Sequence, residues 1–335
     1  MPQSAPTRSE IAVILPCYNV EGYLQRSLNS AIAQSYSEFH IYAVNDGSTD
    51  HTLQILEGNS HLCSFVTQPH RGPAAARNRA IQMSSSPFVA FLDADDEWLP
   101  TKLESQIAFL KADPAVGLVC SLCRISEPAA QSSGLLPAVS APHSGRLFQR
   151  LIRNCFIFTP TVVVRRSCLE DVGLFNESLL TSEDFNLWLR IAARWKIALM
   201  PEILAITHKR LSGSLSSTIS PEQRLRNGVA AIEDVRSKCP QLIPAEHRAL
   251  RVALAERLYF EGSFLLSTGA KSSARTKLAA SLKLQFTHWR ALAKLGLSYL
   301  PTRAYRALAR STRKVAARPL SEHSDPFQSR KSSLT

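Results

Sequence analysis

At 335 residues, 45% hydrophobic and 20% charged, the chain has a globular composition and room for one large domain plus a smaller appendage. The formal net charge of +12 belongs to the last third: residues 221–335 hold 21 Lys and Arg against 8 Asp and Glu, while residues 1–220 hold 18 against 19. A basic tail suggests an anionic partner, and the polar start MPQSAPTRSE, with no apolar window of spanning length, predicts a cytoplasmic protein or one on the inner face of the membrane.

Ile11 to Leu15 is a β-branched run halted by Pro16-Cys17-Tyr18-Asn19, a strand that ends in a turn. Apolar positions at helical spacing predict a helix over Val20–Gln34. A second strand, Phe39–Val44, runs into the turn Asn45-Asp46-Gly47-Ser48, and Asp50 is placed to cap the next helix. The strand Cys63–Thr67 is followed by Gly72-Pro73, which opens another helix, and Phe88–Leu92 forms a fourth strand. Strand and helix in alternation predict a mostly parallel sheet with helices on both faces. Downstream the pattern predicts a helix Lys102–Lys111, a strand Val116–Leu122, a loop Glu127–Ser144, a helix Gly145–Arg153, a strand Thr161–Arg165, a helix within 181–195 and a strand Ile197–Ile206. From Pro221 the chain reads as all helix, near 222–238, 245–268, 271–283, 287–299 and 302–316, with a turn at Gly269 like that of a single tetratricopeptide-type hairpin. The expected division is a disordered start (1–9), an α/β domain (10–218), a helical region (221–318) and a polar, disordered tail (319–335).

Seven scattered cysteines, an odd number, argue for free thiols, and Cys120-x-x-Cys123 lacks the second ligand pair of a zinc site. The stretch of most chemical interest is PFVAFLDADDEW, where a short apolar run stops abruptly at Asp93, Ala94, Asp95 and Asp96. Carboxylates at the end of a buried strand face the crevice where open α/β sheets bind ligands. A pair one residue apart suits Mg²⁺, which takes one or two protein carboxylates and fills its shell with water and phosphate oxygen. The same residues also suit a plain turn with Asp95 or Asp96 as a helix cap. Asn19, Asp46, Asp93 and Asp95 all fall where strands end, a coincidence that folding alone does not require.

Taken together, ILPCYN, VNDGSTD, GPAAARN, FLDADD and SEDFNLWLRIA resemble, in order, the motifs of the inverting family 2 glycosyltransferases, which have a GT-A fold. The resemblance covers about residues 10–216 and implies transfer of a sugar from a nucleoside diphosphate, uridine favoured, to a glycan or lipid-linked hydroxyl. It implies that Asp95 holds a divalent cation, Mg²⁺ or Mn²⁺, with Asp93 and Ala94 beside the donor. Pro16, Tyr18 and Asn19 would frame base and ribose, Asp46 would accept from the base, and Arg77 would lie near the nucleotide. By the same resemblance Asp184 is the general base and Glu183 its acceptor-side neighbour. Each assignment has a structural alternative: Asp46 as an Asx-turn residue, Arg77 as a surface arginine, and Asp184 as the last member of a Thr181-x-x-Asp184 capping box. Two departures stand out. Asn186 occupies a place where the family often has Asp, and the stretch His208-Lys209-Arg210-Leu211-Ser212-Gly213-Ser214 lacks the usual Arg and His spacing.

Three other classes compete: a binding protein on the same scaffold, a sugar nucleotidyltransferase and a nucleic-acid binder. The nucleotidyltransferase would carry a Gly-rich basic loop after the first strand, where this chain has PCYNVEG, and no nucleic-acid module accompanies the tail's charge. Trp289, Leu292, Leu295, Tyr299, Tyr305 and Leu308, interleaved with basic residues, suit either an anionic membrane surface or packing on the α/β domain or a partner.

Overall fold

The computed structural model describes residues 9–126, 134–136, 143–208 and 218–301. Its first part alternates β1 (Ile11–Cys17), α1 (Leu24–Ile32), β2 (Phe39–Asn45), α2 (Thr52–Gly58), β3 (Cys63–Thr67), α3 (Pro73–Gln82) and β4 (Phe88–Phe91). There follow β5 (Glu97–Trp98), α4 (Lys102–Ala112), β6 (Val116–Ser126), β7 (Gly134–Leu136), β8 (His143–Gly145), α5 (Phe148–Arg153), β9 (Val163–Arg165), α6 (Arg166–Val172), α7 (Glu183–Ala192) and β10 (Lys196–His208). The helical region contributes α8 (Pro221–Lys238), α9 (Pro244–Thr268), α10 (Lys271–Leu284) and α11 (Trp289–Leu297).

The strands form one sheet in the order β3-β2-β1-β4-β9-β6-β10-β5, with β7 on β6 and β8 on β10. The long pairings, β1 with β2 and β4, β2 with β3, and β6 with β10, are parallel; the short ones through β5, β7, β8 and β9 are antiparallel. Side chains alternate across the pleat, so β1 serves two cores. Ile11, Val13 and Leu15 meet α1 and α4, through Leu24, Leu28, Leu103 and Ile107. Ala12 and Ile14 join the opposite core with α3, α5 and α7, and that core continues without a break into Val229, Ile232, Leu250 and Leu254 of α8 and α9. The helical region is thus fastened to the sheet domain by shared apolar burial.

Register places the candidate ligand residues together. Cys17 pairs with Asn45, Asn45 with Thr67, and Ile14 with Phe91. The residues that follow, Tyr18, Asp46, Gln68 and Asp93, therefore emerge along one carboxyl edge.

Several boundaries differ from expectation for local reasons. The helix expected over 20–34 starts at Leu24, because Asn19 is left-handed (φ 49°) and the Val20 amide donates to Thr52 Oγ1 at 2.9 Å. Asp50 lies one residue outside the cap of α2, yet its Oδ1 accepts the Thr52 amide at 3.0 Å. β6 runs to Ser126 rather than Leu122 because β10 pairs along its length, ending with His208 opposite Ser126. α5 begins at Phe148 because Gly145 pairs with Ile197. Two short elements, β5 and α6, show no periodicity long enough to be read. The expected tail (319–335), the helix near 302–316, residues 1–8 of the expected disordered start and most of the 127–144 loop lie outside the described residues; the described parts of that loop are not loop but the short strands β7 and β8, held by pairing with β6 and β10. Gly269 closes the α9–α10 hairpin at φ 94°, as the sequence predicts.

Candidate active site

At the carboxyl edge two loops are laced together. The Asn19 amide donates to Ser48 Oγ at 3.1 Å, and the Thr49 amide donates to Asn19 Oδ1 at 2.8 Å. Asn45, not Asp46, ties the turn together with its side chain: its Oδ1 accepts the Ser48 amide, three residues on, at 3.1 Å. Asp46 is 2% exposed and gathers the segment before α3. Its Oδ1 accepts from Gln68 Nε2 (2.7 Å) and the Arg71 amide (3.0 Å), and its Oδ2 from the Gly72 amide (2.8 Å); His70 Nδ1 bonds to the Asp46 carbonyl oxygen (3.1 Å) and lies 2.9 Å from Oδ2. Gln68, His70 and Arg71 were not singled out from the sequence, since polar residues in a loop before a Gly-Pro helix start carry no periodic signal. Tyr18 is 41% exposed and its ring stacks on that of His70, with centroids 3.9 Å apart and planes 21° from parallel. Pro16 lies on β1, paired with Val44.

The acidic stretch turns tightly, with the Asp96 amide bonded to the Asp93 carbonyl at 2.9 Å, and Ala94 is buried within it. Arg26 donates to the Asp95 carbonyl at 3.0 Å and pairs with Glu97 at 3.1 Å. β5 lies antiparallel to the end of β10, which brings His208 across: its amide donates to Asp96 Oδ1 at 3.0 Å and its Nε2 meets Glu97 Oε1 at 2.6 Å. His208 thus borders the acidic turn, while Lys209 and Arg210 lie outside the described residues. Asp96 is buried, and burial together with the charges of Asp93 and Asp95 pushes its carboxyl well above the usual range.

This crowding of negative charge is the physical test of fit for a divalent cation. The donor set is hard carboxylate oxygen, which suits Mg²⁺ or Mn²⁺ and disfavours soft metals. Among the described residues no cluster of three His, Cys, Asp or Glu side chains forms a cage, so such a cation would depend on phosphate and water for most of its shell. All seven cysteines are free, and Cys120 and Cys123 are buried in β6.

Arg77 links the two halves of the site. It is 6% exposed on α3, not a surface arginine; Nη2 donates to Asp93 Oδ1 at 2.7 Å and Nη1 to Glu183 Oε1 at 2.9 Å. Its buried Nε has no partner among the described residues. The neighbouring Asn78 fixes the loop opposite: Nδ2 donates to the Phe175 carbonyl (3.0 Å) and Glu177 Oε1 (2.9 Å), and Oδ1 accepts the Phe175 amide (3.0 Å). Arg77 also lies 5.4 Å from the Phe175 ring centre.

The capping-box alternative for Asp184 does not form. Ser182, not Thr181, precedes α7, in the left-handed region at φ 65°, and Thr181 Oγ1 accepts from Asn227 instead. Ser182 and Asn19 are the two non-glycine residues with positive φ among those described, and each flanks a proposed site residue. Such outliers often accompany functional sites. Asp184 is partly exposed, accepts from Thr159 Oγ1 at 3.3 Å and from the Phe185 amide at 2.6 Å, and has its carboxyl raised, chiefly by burial. Burial and the adjacent Asp184 charge raise Glu183 to about 7 against the opposing pull of Arg77.

Asn186 has a structural reason. Its amide donates to Asp234 Oδ2 and the Ala231 carbonyl, both at 2.9 Å, while its Oδ1 accepts from Arg190 Nε at 3.0 Å. The carboxylate that the family often has at position 186 is supplied near Arg190 by α8, from Asp234 at 4.0 Å.

Residues 12–173 match the description Glycosyl transferase family 2. A UDP-Glc:alpha-D-GlcNAc-diphosphoundecaprenol beta-1,3-glucosyltransferase, WfgD of Escherichia coli, is 30% identical over 183 residues, 54% of this chain and 69% of that protein. The chain belongs to glycosyltransferase family 2. A glycosyltransferase of Rickettsia bellii is 31% identical over 188 residues, which span 56% of this chain but 27% of that much longer protein. In fold, the family member resembles S. aureus TarS 1-349, solved with UDP-GlcNAc, at a TM-score of 0.68 and 23% identity over 91% of this chain and 92% of that one. That likeness extends through the helical region and identifies the sheet domain as GT-A-like.

Proposed function

We propose that this protein transfers one sugar, with inversion, from a nucleoside-diphosphate sugar to a hydroxyl of a lipid-linked or polysaccharide acceptor. The observation that carries the reading is the Arg77 fork. One buried guanidinium holds Asp93, on the acidic turn, and Glu183, beside Asp184, so donor-side and acceptor-side carboxylates share a single anchor. Residues 10–218 carry the chemistry in this reading and 221–318 support it.

Asp184 takes the proton from the attacking hydroxyl. Its raised carboxyl is a stronger base than a solvated aspartate, and the Thr159 hydroxyl orients it. Arg77 balances the charges of Asp93 and Glu183, which keeps Asp184 free of a direct ion pair with it. Pro16, Tyr18, Asn19 and Asp46 receive the nucleoside, with uridine favoured because an Asp carboxylate accepts from a ring N–H. Asp95, with Asp93 and Ala94 beside it, would hold Mg²⁺ or Mn²⁺, which when bound supplies a Lewis acid against the leaving diphosphate. The donor and acceptor in WfgD's name support a UDP-sugar and a diphospholipid acceptor.

Phe286, Trp289 and Leu292 remain exposed beside Arg290 and Lys294, which supports peripheral contact with an anionic membrane and a place on its cytoplasmic face. Leu295 does not belong to that face; it packs toward Tyr259 and Leu278. Tyr305 and Leu308 lie outside the described residues. No helix among the described residues is long and apolar enough to cross a membrane.

The reading is tested by a thermal-shift titration of UDP, GDP, dTDP and CMP with and without Mn²⁺, on wild type and Asp95→Ala. A ligand at 100 times its Kd adds about 2.7 kcal/mol of stability. Metal-dependent stabilisation by one diphosphate, lost in Asp95→Ala, is expected. Indifference to every nucleotide would overturn the transferase reading and favour a non-catalytic scaffold.

A further inference from the structure

The nucleoside position carries its own occupant. The His70 ring lies on Tyr18 at 3.9 Å and 21°, the geometry of a stacked base, and its Nδ1 is 2.9 Å from Asp46 Oδ2. Since a carbonyl oxygen only accepts, the Nδ1 bonded to the Asp46 carbonyl carries the proton and donates. The same nitrogen also lies 3.1 Å from the Asp46 carbonyl oxygen. A flat ring that stacks on Tyr18 with its ring N–H turned to Asp46 occupies the place that the donor reading gives to a uracil ring. The His70 side chain is about half exposed, in a loop between β3 and α3, so its imidazole has open solvent to turn into.

Resting on the donor reading above, we infer that His70 is a built-in surrogate for the nucleobase, which an incoming base must displace from Tyr18 and Asp46. His70 therefore sets donor affinity: a base that stacks on Tyr18 recovers what His70 gives up. The exchange needs only the imidazole to rotate: Gln68 and the Arg71 and Gly72 amides keep Asp46 and the loop backbone in place when the ring swings away.

The test uses the full chain. Ring-current shielding by Tyr18 is expected to move the His70 side-chain proton resonances upfield in the free protein, and saturating UDP with Mn²⁺ is expected to return them to ordinary positions. By titration calorimetry His70→Ala should bind UDP about two- to tenfold more tightly, the range set by one aromatic stack of about 0.5–1.5 kcal/mol. His70→Asn, which keeps a donor for Asp46 without a stacking ring, should also gain affinity. In a Tyr18→Ala background the gain should vanish. UDP binding with the His70 resonances unmoved, or weaker binding in both His70 variants, overturns the surrogate and leaves the donor reading intact. If neither wild type nor His70→Ala binds any nucleoside diphosphate, the donor reading fails and the surrogate with it.

Discussion

Replacing Asn186 by Asp, the residue the family often has, is expected to damage this member. Asn186 is fully buried, and its amide nitrogen is 2.9 Å from Asp234 Oδ2 and 2.9 Å from the Ala231 carbonyl. An aspartate would put a carboxylate oxygen where that donor stands. At 2.9 Å and an effective dielectric near 20, two unit charges repel by about 6 kcal/mol. Arg190, which stays within 3.0 Å of the 186 side chain, and protonation of one carboxyl offset part of this. A loss of about 3–4 kcal/mol remains, in the range found when a buried charge loses its balance. The exchange Asn186→Asp with Asp234→Asn restores one carboxylate, one amide and the donor between them, so it should recover most of that loss. Urea unfolding of wild type, both singles and the double at pH 7 gives the coupling energy. A single variant as stable as wild type, or a double no better than Asn186→Asp, would refute the idea that α8 supplies the missing charge.

Asp184→Asn should keep UDP binding and lose transfer by roughly 10²–10⁴-fold, read from a donor-hydrolysis-corrected transfer assay. Arg77→Lys keeps the charge but cannot fork to Asp93 and Glu183 at once, so kcat/KM should fall by roughly 10²-fold while the circular dichroism spectrum stays the same. Glu183 binds its proton up to about pH 7 in the folded chain but releases it in the ordinary carboxylate range when unfolded. Its stabilising share is therefore present at low pH and lost as pH rises toward 7, and Glu183→Gln should flatten that decline in urea midpoints taken from pH 5 to 7.5.

The sheet half of the fold was legible because β1, β2, β3 and β4 are short apolar runs closed by turn residues, and the parallel order follows from helices between them. α8 to α10 were legible from long runs of helical spacing. β5 and α6 were not, since two and seven residues carry too little periodicity and owe their form to β10 and β9 beside them. Within the site, motif residues announce their type but not their partners. Nothing in GPAAARN says that Arg77 turns inward to span Asp93 and Glu183, more than one hundred residues downstream in the second case. Asn186 reads in the sequence as a missing charge, because Asp234 lies 48 positions away on a different helix.

That last pair bears on what the helical region is for. A tail that served only as a membrane foot would need no polar contact with the acceptor-side helix. Here α8 reaches Asn186 and Arg190 on α7, Thr181 just before it, and Asn176 in the preceding loop, at distances of 2.9–4.0 Å. Glu183 and Asp184 occupy the first turn of the same α7. The segment that positions the proposed base is thus clamped from the sheet side by Arg77 and from the helical side by Asp234 and Asn227. Loosening the second clamp should disturb the first: a variant that weakens the Asp234 contact, with donor binding intact, should lose turnover more than donor affinity. The exposed apolar residues of α11 lie on the far part of the region, past the α9–α10 hairpin. The clamp on the segment that carries the proposed base is thus the work of α8, and the exposed apolar residues of α11 stand apart from it.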